Sequence, residues 1–314
     1  MAALPPYELP PPPNIGIHGN ATYINFEFSV FTYQMLLVPI PLLYMPLTVV
    51  VIFRIFVKLF YSIKCLLFFV LDFFHLRLPA TGIFTSWCAT SRPNRYLNLL
   101  YLSTFYVNYA TMLSPFLVSL IRIIIVIYPH DHEKINTNLL RIAVPFILLY
   151  PSLFTFFMIP SLGFCFQPAS PYPFGAMQIM FRGTWFGLRN NYFLLGNTVF
   201  WLSASSINNA ILMIRLFKLK SSLSAHVRSH KSFKAELSLT LTTFSMVFSY
   251  TSNGAIVVCA QLLPDYTTIA IMLRPFGNDL ETCVVPWVLY LTHPIFRREP
   301  PKQILVVRPE KMHF

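Results

Sequence analysis

Residues 96–121 read YLNLLYLSTFYVNYATMLSPFLVSLI, a run without a single Asp, Glu, Lys or Arg. At about 1.5 Å of rise per residue, a helix over this run covers roughly 39 Å, more than the ~30 Å hydrocarbon core of a bilayer. A soluble α/β core breaks its apolar stretches after roughly 5 to 15 residues. Here long runs recur, as in FTYQMLLVPIPLLYMPLTVVVIF at 31–53. Strands of a membrane barrel alternate apolar and polar residues in segments of about ten, which this run does not do. Lipid offers no partner for backbone N–H and C=O groups, so helices that satisfy their own hydrogen bonds are the remaining choice.

Composition agrees. Of 314 residues, 55% are hydrophobic and 11% charged, with a mean hydropathy of +0.60; a soluble domain carries about 25% charged residues. The net charge of +12 reflects membrane orientation rather than nucleic-acid binding, because the basic residues gather in loops on one side. Five cysteines are too few for a disulfide scaffold but allow one bridge outside the membrane. The start, MAALPPYELPPPP, lacks the basic and apolar regions of a cleavable leader, so the first span is expected to act as the targeting signal.

Working outward from 96–121, the remaining spans are expected at about 31–53, 65–87, 140–162, 192–214, 236–263 and 268–291. The second is the weakest, interrupted by Asp72, His75, Arg77 and Pro79. The expected fold is an all-α integral membrane protein, a seven-helix bundle of rhodopsin-like topology. A Pro-rich arm (1–30) precedes the membrane domain (31–296), and a basic tail (297–314) follows it. No internal repeat of the kind common in secondary transporters is visible. Counting Lys and Arg sets the orientation: 17 fall on one side and 4 on the other. The basic side is cytoplasmic by the positive-inside rule, which puts the N-terminus outside. The sequon Asn20-Ala21-Thr22 lies in that outer arm and makes Asn20 a glycosylation candidate.

Several residues stand out as candidates for function. Cys88 precedes the third span and Cys165 follows the fourth; two unrelated cysteines would also fit, but their shared oxidising side favours a bridge. Arg122 ends the third span seven residues before Pro129, where rhodopsin-like receptors carry Asp-Arg-Tyr. Ile121 and Ile123 replace the flanking pair, so Arg122 is equally well read as a positive-inside anchor. In the seventh span Arg274, Asn278 and Glu281 share one helix face, and Asp279 lies on the adjacent one. A charge exposed to lipid at bilayer depth costs at least about 2.5 kcal/mol, so these faces must look into the bundle or a wet cavity. Arg274 and Glu281 are about 10 Å apart along the axis, which leaves Asn278 or water to mediate between them. Asp72 and His75, three apart, form a second polar face. A conformational switch is favoured over a proton relay for this set, although such groups also serve as glue between helices.

Catalytic readings fare poorly. The close histidine pairs, His130/His132 and His226/His230, fall in loops, and no third cluster completes a metal site. No Gly-rich phosphate loop or nucleophile–base set is present, and no cofactor is expected. The chain is not expected to be an enzyme.

Three stretches carry a family resemblance: IHGNATYINFEFSVFTYQ before and into the first span, LPATGIFTSWCA at the outer end of the second, and RPFGNDLETCVVPWVLYLTHPIF in the seventh. They resemble the nematode serpentine receptors of class U, over essentially the whole chain. That resemblance implies a G-protein-coupled chemoreceptor in the plasma membrane of sensory neurons, with a small external ligand and a heterotrimeric G protein as partners. Membrane lipid is the further partner, and nucleic acid is not one. Arg122 together with Lys218, Lys220, Arg228, Lys231 and Lys234 of the basic 215–234 loop would face the G protein. The chain departs from rhodopsin-like patterns in lacking an internal Pro in its sixth span, and Pro286 stands four residues from Tyr290. The rival reading is a ligand-gated channel or transporter that uses the charges of the seventh span as its pathway.

Overall fold

A computed structural model describes residues 16–19, 23–28, 34, 36–56, 61–128, 130–168, 175–222, 250–259, 261–263, 266–280, 283, 287 and 291. The main helices are α1 (Pro39–Phe56), α2 (Tyr61–Asp72), α3 (Arg95–Ile127), α4 (His132–Leu149), α5 (Asn190–Ser222), α6 (250–259) and α7 (Thr267–Asp279). Among the described residues, Arg95–Ile127 and His132–Met158 are each long and apolar enough to cross a bilayer, and Pro39–Val51 is a shorter apolar helix. At 33 residues, α5 is about 50 Å long and would overrun a ~30 Å hydrocarbon core.

The third helix is the hub, packing against α2, α4 and α5. Its start is fixed by Asn94, whose side chain accepts from the Leu97 N–H, the usual duty of an N-cap. The core joins Tyr101, Phe105, Tyr109 and Leu113 of α3 to Phe157, to Trp201 of α5, and to Tyr250 and Val257 of α6. Polar tips inside this core are paired. Tyr109 donates to Asn190 Oδ1 at 2.7 Å, Trp201 Nε1 donates to the Tyr150 hydroxyl at 3.0 Å, and Tyr250 donates to the Met112 carbonyl. Outward faces are apolar instead: Leu43, Ile142, Leu149, Phe200 and Ile207 are all exposed. In water such a girdle would be an aggregation surface; in hydrocarbon it is the solvated face.

Two features depart from a bundle of plain helices. The expected second span is not one α-helix. Asp72 is followed by a π turn, Phe73–Arg77, in which Leu78 N–H bonds to the Phe73 carbonyl five residues back. Short helical segments at Leu78–Ala80 and Thr85–Thr90 then complete the span. Between α4 and α5 lies an antiparallel hairpin of β1 (Leu162–Phe166) and β2 (Gln178–Arg182), with Cys165 opposite Ile179.

The hairpin is held on three sides. Gly163 exchanges backbone hydrogen bonds with Asn94 at the start of α3, 2.9 and 3.0 Å. Met177 N–H donates to Pro79 at the end of the second span, 3.0 Å. From the N-terminal arm, Ile17 N–H donates to Cys165, and Gln167 pairs with both the N–H and the carbonyl of Ile24.

Candidate functional site

The residues that weaken the second span as an apolar run are among its most deeply buried: Asp72, His75 and Arg77 are all nearly inaccessible. Arg77 donates from every nitrogen of its guanidinium to protein acceptors. Its Nε donates to Asp72 Oδ2 at 3.1 Å. Across the bundle, Nη1 and Nη2 reach Asp279 Oδ2 and Oδ1 at 2.8 and 2.5 Å, and Nη2 also reaches the Pro275 carbonyl at 3.2 Å. Tyr44 of α1 donates to the same Asp279 carboxylate. One arginine thus joins the second span to α7, and the shared carboxylate adds α1. Thr48 of α1 also accepts a hydrogen bond from Trp287 Nε1 at 3.3 Å.

The π turn makes this arrangement possible. In a regular helix, residues five apart point about 140° from each other. A π turn closes its hydrogen bond at the fifth residue instead, which brings Arg77 back over Asp72. Sequence reasoning places Asp72 and Asp279 among the polar residues of the bundle and misses Arg77 and Tyr44. The usable signal for Arg77 was a basic residue deep in a span with an acid one turn away, a pairing hidden by the assumption of α periodicity.

A second group lies toward the hairpin. His75 meets Tyr101 edge-on, ring centres 5.0 Å apart, and Phe105 at 6.2 Å. Tyr101 and Phe105 stack at 4.5 Å, and Phe181 of β2 packs on Tyr101 at 4.6 Å. Arg274 also lies over Phe105, its guanidinium carbon 5.3 Å from the ring centre. Arg274 is only 6% exposed, and its Nε and Nη2 make no hydrogen bond. Asn278 Oδ1 accepts from Asn253 Nδ2 of α6 at 3.3 Å, and Asp279 goes to Arg77; Glu281, the acid expected to reach Arg274 through Asn278 or water, lies outside the described residues. The structure therefore brings Asp72 and Asp279 together and holds His75 and Arg274 against one aromatic shelf.

At the hairpin end Cys88 and Cys165 are joined by a disulfide, with Cα atoms 5.7 Å apart, packed among Ile17, Leu97, Met177 and Ile179. At the opposite end of the bundle, Arg122 lies near the end of α3 and is partly buried, while Lys218 of α5 is exposed. Ile123 and Leu212 hold these two helix ends together. Asn20, Arg228, Lys231, Lys234 and Glu281, and the side chain of Lys220, fall outside the described residues. Among the described residues no three His, Cys, Asp or Glu side chains converge as metal ligands.

Comparison with known proteins adds a direct finding. The family model described as "Serpentine type 7TM GPCR chemoreceptor Sru" matches residues 17–64 and 57–299. "Serpentine receptor class U-26" of Caenorhabditis elegans is 48% identical over 272 residues, which cover 80% of this chain and 94% of that protein.

Proposed function

The chain belongs to the Sru family of serpentine seven-transmembrane chemoreceptors, and from that premise we propose that it detects a small external molecule and signals to a heterotrimeric G protein. Membership makes it a multi-pass helical membrane protein of a receptor family. The finer reading is ours: seven spans, the N-terminus and hairpin outside, the basic tail inside, and residence in the plasma membrane of sensory neurons. The observation that supports signalling through helix packing is the Arg77 cluster. A single buried cation holding the second span to α7, with α1 on the same carboxylate, gives the bundle an electrostatic joint whose partners must separate or slide together. Packed interfaces of this kind take discrete arrangements, and a ligand shifts the equilibrium by its differential affinity for them.

The cytoplasmic partner would meet Arg122, Lys218, Lys220, Arg228, Lys231 and Lys234. Anionic lipid alone could explain attraction to a basic loop, at about 1 kcal/mol per residue. Coupling therefore needs a test that attraction cannot pass. Arg122→Lys keeps the charge and loses the planar fork of donors. In ligand-driven nucleotide exchange on a co-reconstituted G protein, normalised to receptor amount, the Lys variant is expected to fall well below wild type. Equal exchange would reduce Arg122 to a topology anchor, and exchange absent from the wild type across an odorant panel would defeat the coupling itself.

A further inference from the structure

The two orphaned nitrogens of Arg274 form a pattern. Nε and Nη2 lie on the same edge of the guanidinium, with N–H bonds that run parallel, the edge that grips a carboxylate through two hydrogen bonds. In Arg77 every nitrogen is occupied. In Arg274 this one edge is empty, although the residue is more than nine-tenths buried. An arginine in such a place is costly unless something satisfies it. The Phe105 face offers a cation–π contact, which offsets part of the charge but takes no hydrogen bond. The described acids nearest in the fold cannot serve, because Asp72 and Asp279 both ligate Arg77.

The ring under the guanidinium, Phe105, belongs to a larger aromatic group. Phe105, Tyr101 and Phe181 form a continuous shelf, closed at one side by His75. Phe181 belongs to the hairpin, so the shelf is shared between the bundle and the segment that roofs it. Arg274 sits seven residues into α7, about 10 Å below its hairpin-side end. A planar cationic edge beside aromatic rings suits a planar anion attached to an apolar body.

We propose that Arg274 is the docking point for the carboxylate of a small, apolar-bodied organic acid, whose body lies against Tyr101, Phe105 and Phe181. The assignment deepens the receptor reading above and rests on it for the access of ligand from outside. Two hydrogen bonds to the guanidinium edge replace those the acid loses in leaving water, and the aromatic shelf takes up the body. A neutral ester or amide of the same body keeps the shelf contact and loses the charge-assisted pair.

The test uses the full chain in lipid nanodiscs with hexanoate, benzoate and phenylpropanoate, each beside its methyl ester, with thermal stabilisation and equilibrium binding as readouts. At least one acid is expected to bind and to raise the melting temperature with dose, while its ester binds about tenfold more weakly or worse, the loss expected from one charge-assisted interaction. Arg274→Lys should weaken the acid by a similar factor, since a point charge cannot offer the fork. Arg274→Gln should abolish the difference between acid and ester. Binding of ester and acid alike, wild-type acid affinity in Arg274→Gln, or no binding by any of the acids would overturn the assignment. The acid–ester comparison on the wild type needs no variant, so a poorly folded Arg274→Gln leaves the test intact. An acid that binds through Arg274 yet drives no nucleotide exchange would leave the anion site standing and remove the G-protein coupling. A neutral odorant that drives equal exchange in wild type and Arg274→Gln, with no acid bound, would do the reverse.

Discussion

Arg77 holds two carboxylates at once, so its loss does more than delete a bond. Arg77→Met would leave Asp72 and Asp279 buried without a counter-charge, and breaking a buried pair in this way costs about 3–5 kcal/mol. Surface expression of this variant is expected to fall sharply. The triple change Arg77→Met, Asp72→Asn, Asp279→Asn removes the stranded charges and should recover most of the surface protein, because apolar or neutral replacements of a buried cluster are tolerated far better than half of one. Flow cytometry on cells bearing an N-terminal tag measures both. A triple variant no better than the single would mean that geometry, not charge, holds the joint. Asp72, His75, Arg274 and Asp279 were legible as bundle-facing because ionisable side chains at bilayer depth must find protein or water. Their pairing was not, because partners across a bundle depend on helix rotation, and α2 rotates through a π turn that no hydropathy pattern announces.

The hairpin is the element least visible in the sequence. Its strands are five residues each, set in a Pro- and aromatic-rich stretch, and their pairing is specified by what they dock on rather than by alternation. The third helix, by contrast, was readable from length and apolar content, with the expected 96–121 run inside the observed Arg95–Ile127. Gly163 is the tightest point of the hairpin's docking: a Cβ there would stand 2.3 Å from the Asn98 nitrogen and 2.5 Å from the Leu97 carbonyl carbon. Gly163→Ala should therefore lift β1 from the start of α3 at the overpacking cost of about 1–3 kcal/mol. Thermal unfolding in nanodiscs should show a lower midpoint for Gly163→Ala, and a wild-type midpoint would mean that the hairpin docks loosely. Cys88→Ser should lower it further, by the roughly 2–5 kcal/mol that a native bridge contributes in small domains. The bridge itself is checked by non-reducing peptide mapping, in which the Cys88 and Cys165 peptides should co-migrate until reduced.

For the molecule as a whole, topology is the reading with the most direct check. On the proposed seven-span topology 17 basic residues fall on one side and 4 on the other, so Asn20 is expected outside and glycosylated, and the tail inside. Endoglycosidase treatment and Asn20→Gln should each increase gel mobility, while a C-terminal tag should stain only after permeabilisation; staining of intact cells would overturn the orientation. The family was legible because its motifs combine polar residues with apolar runs, where burial restricts the choice of residue. The joint that unites α1, the second span and α7 was not, since it exists only once three distant segments meet. The π turn also bears on chain length. Removing one residue from an α-helix turns everything beyond it by about 100°. Phe73–Arg77 already holds one residue more than an α turn needs, so deleting Phe74, which is 52% exposed, would leave the acid and the arginine four apart, still on one face. The same deletion at Ser103 in α3 would misalign the hub and should abolish surface expression, whereas the Phe74 deletion should be tolerated. Receptors of this kind can thus lose a residue at that spot and keep the acid–arginine pair, a place where the chain can shorten without altering what it joins.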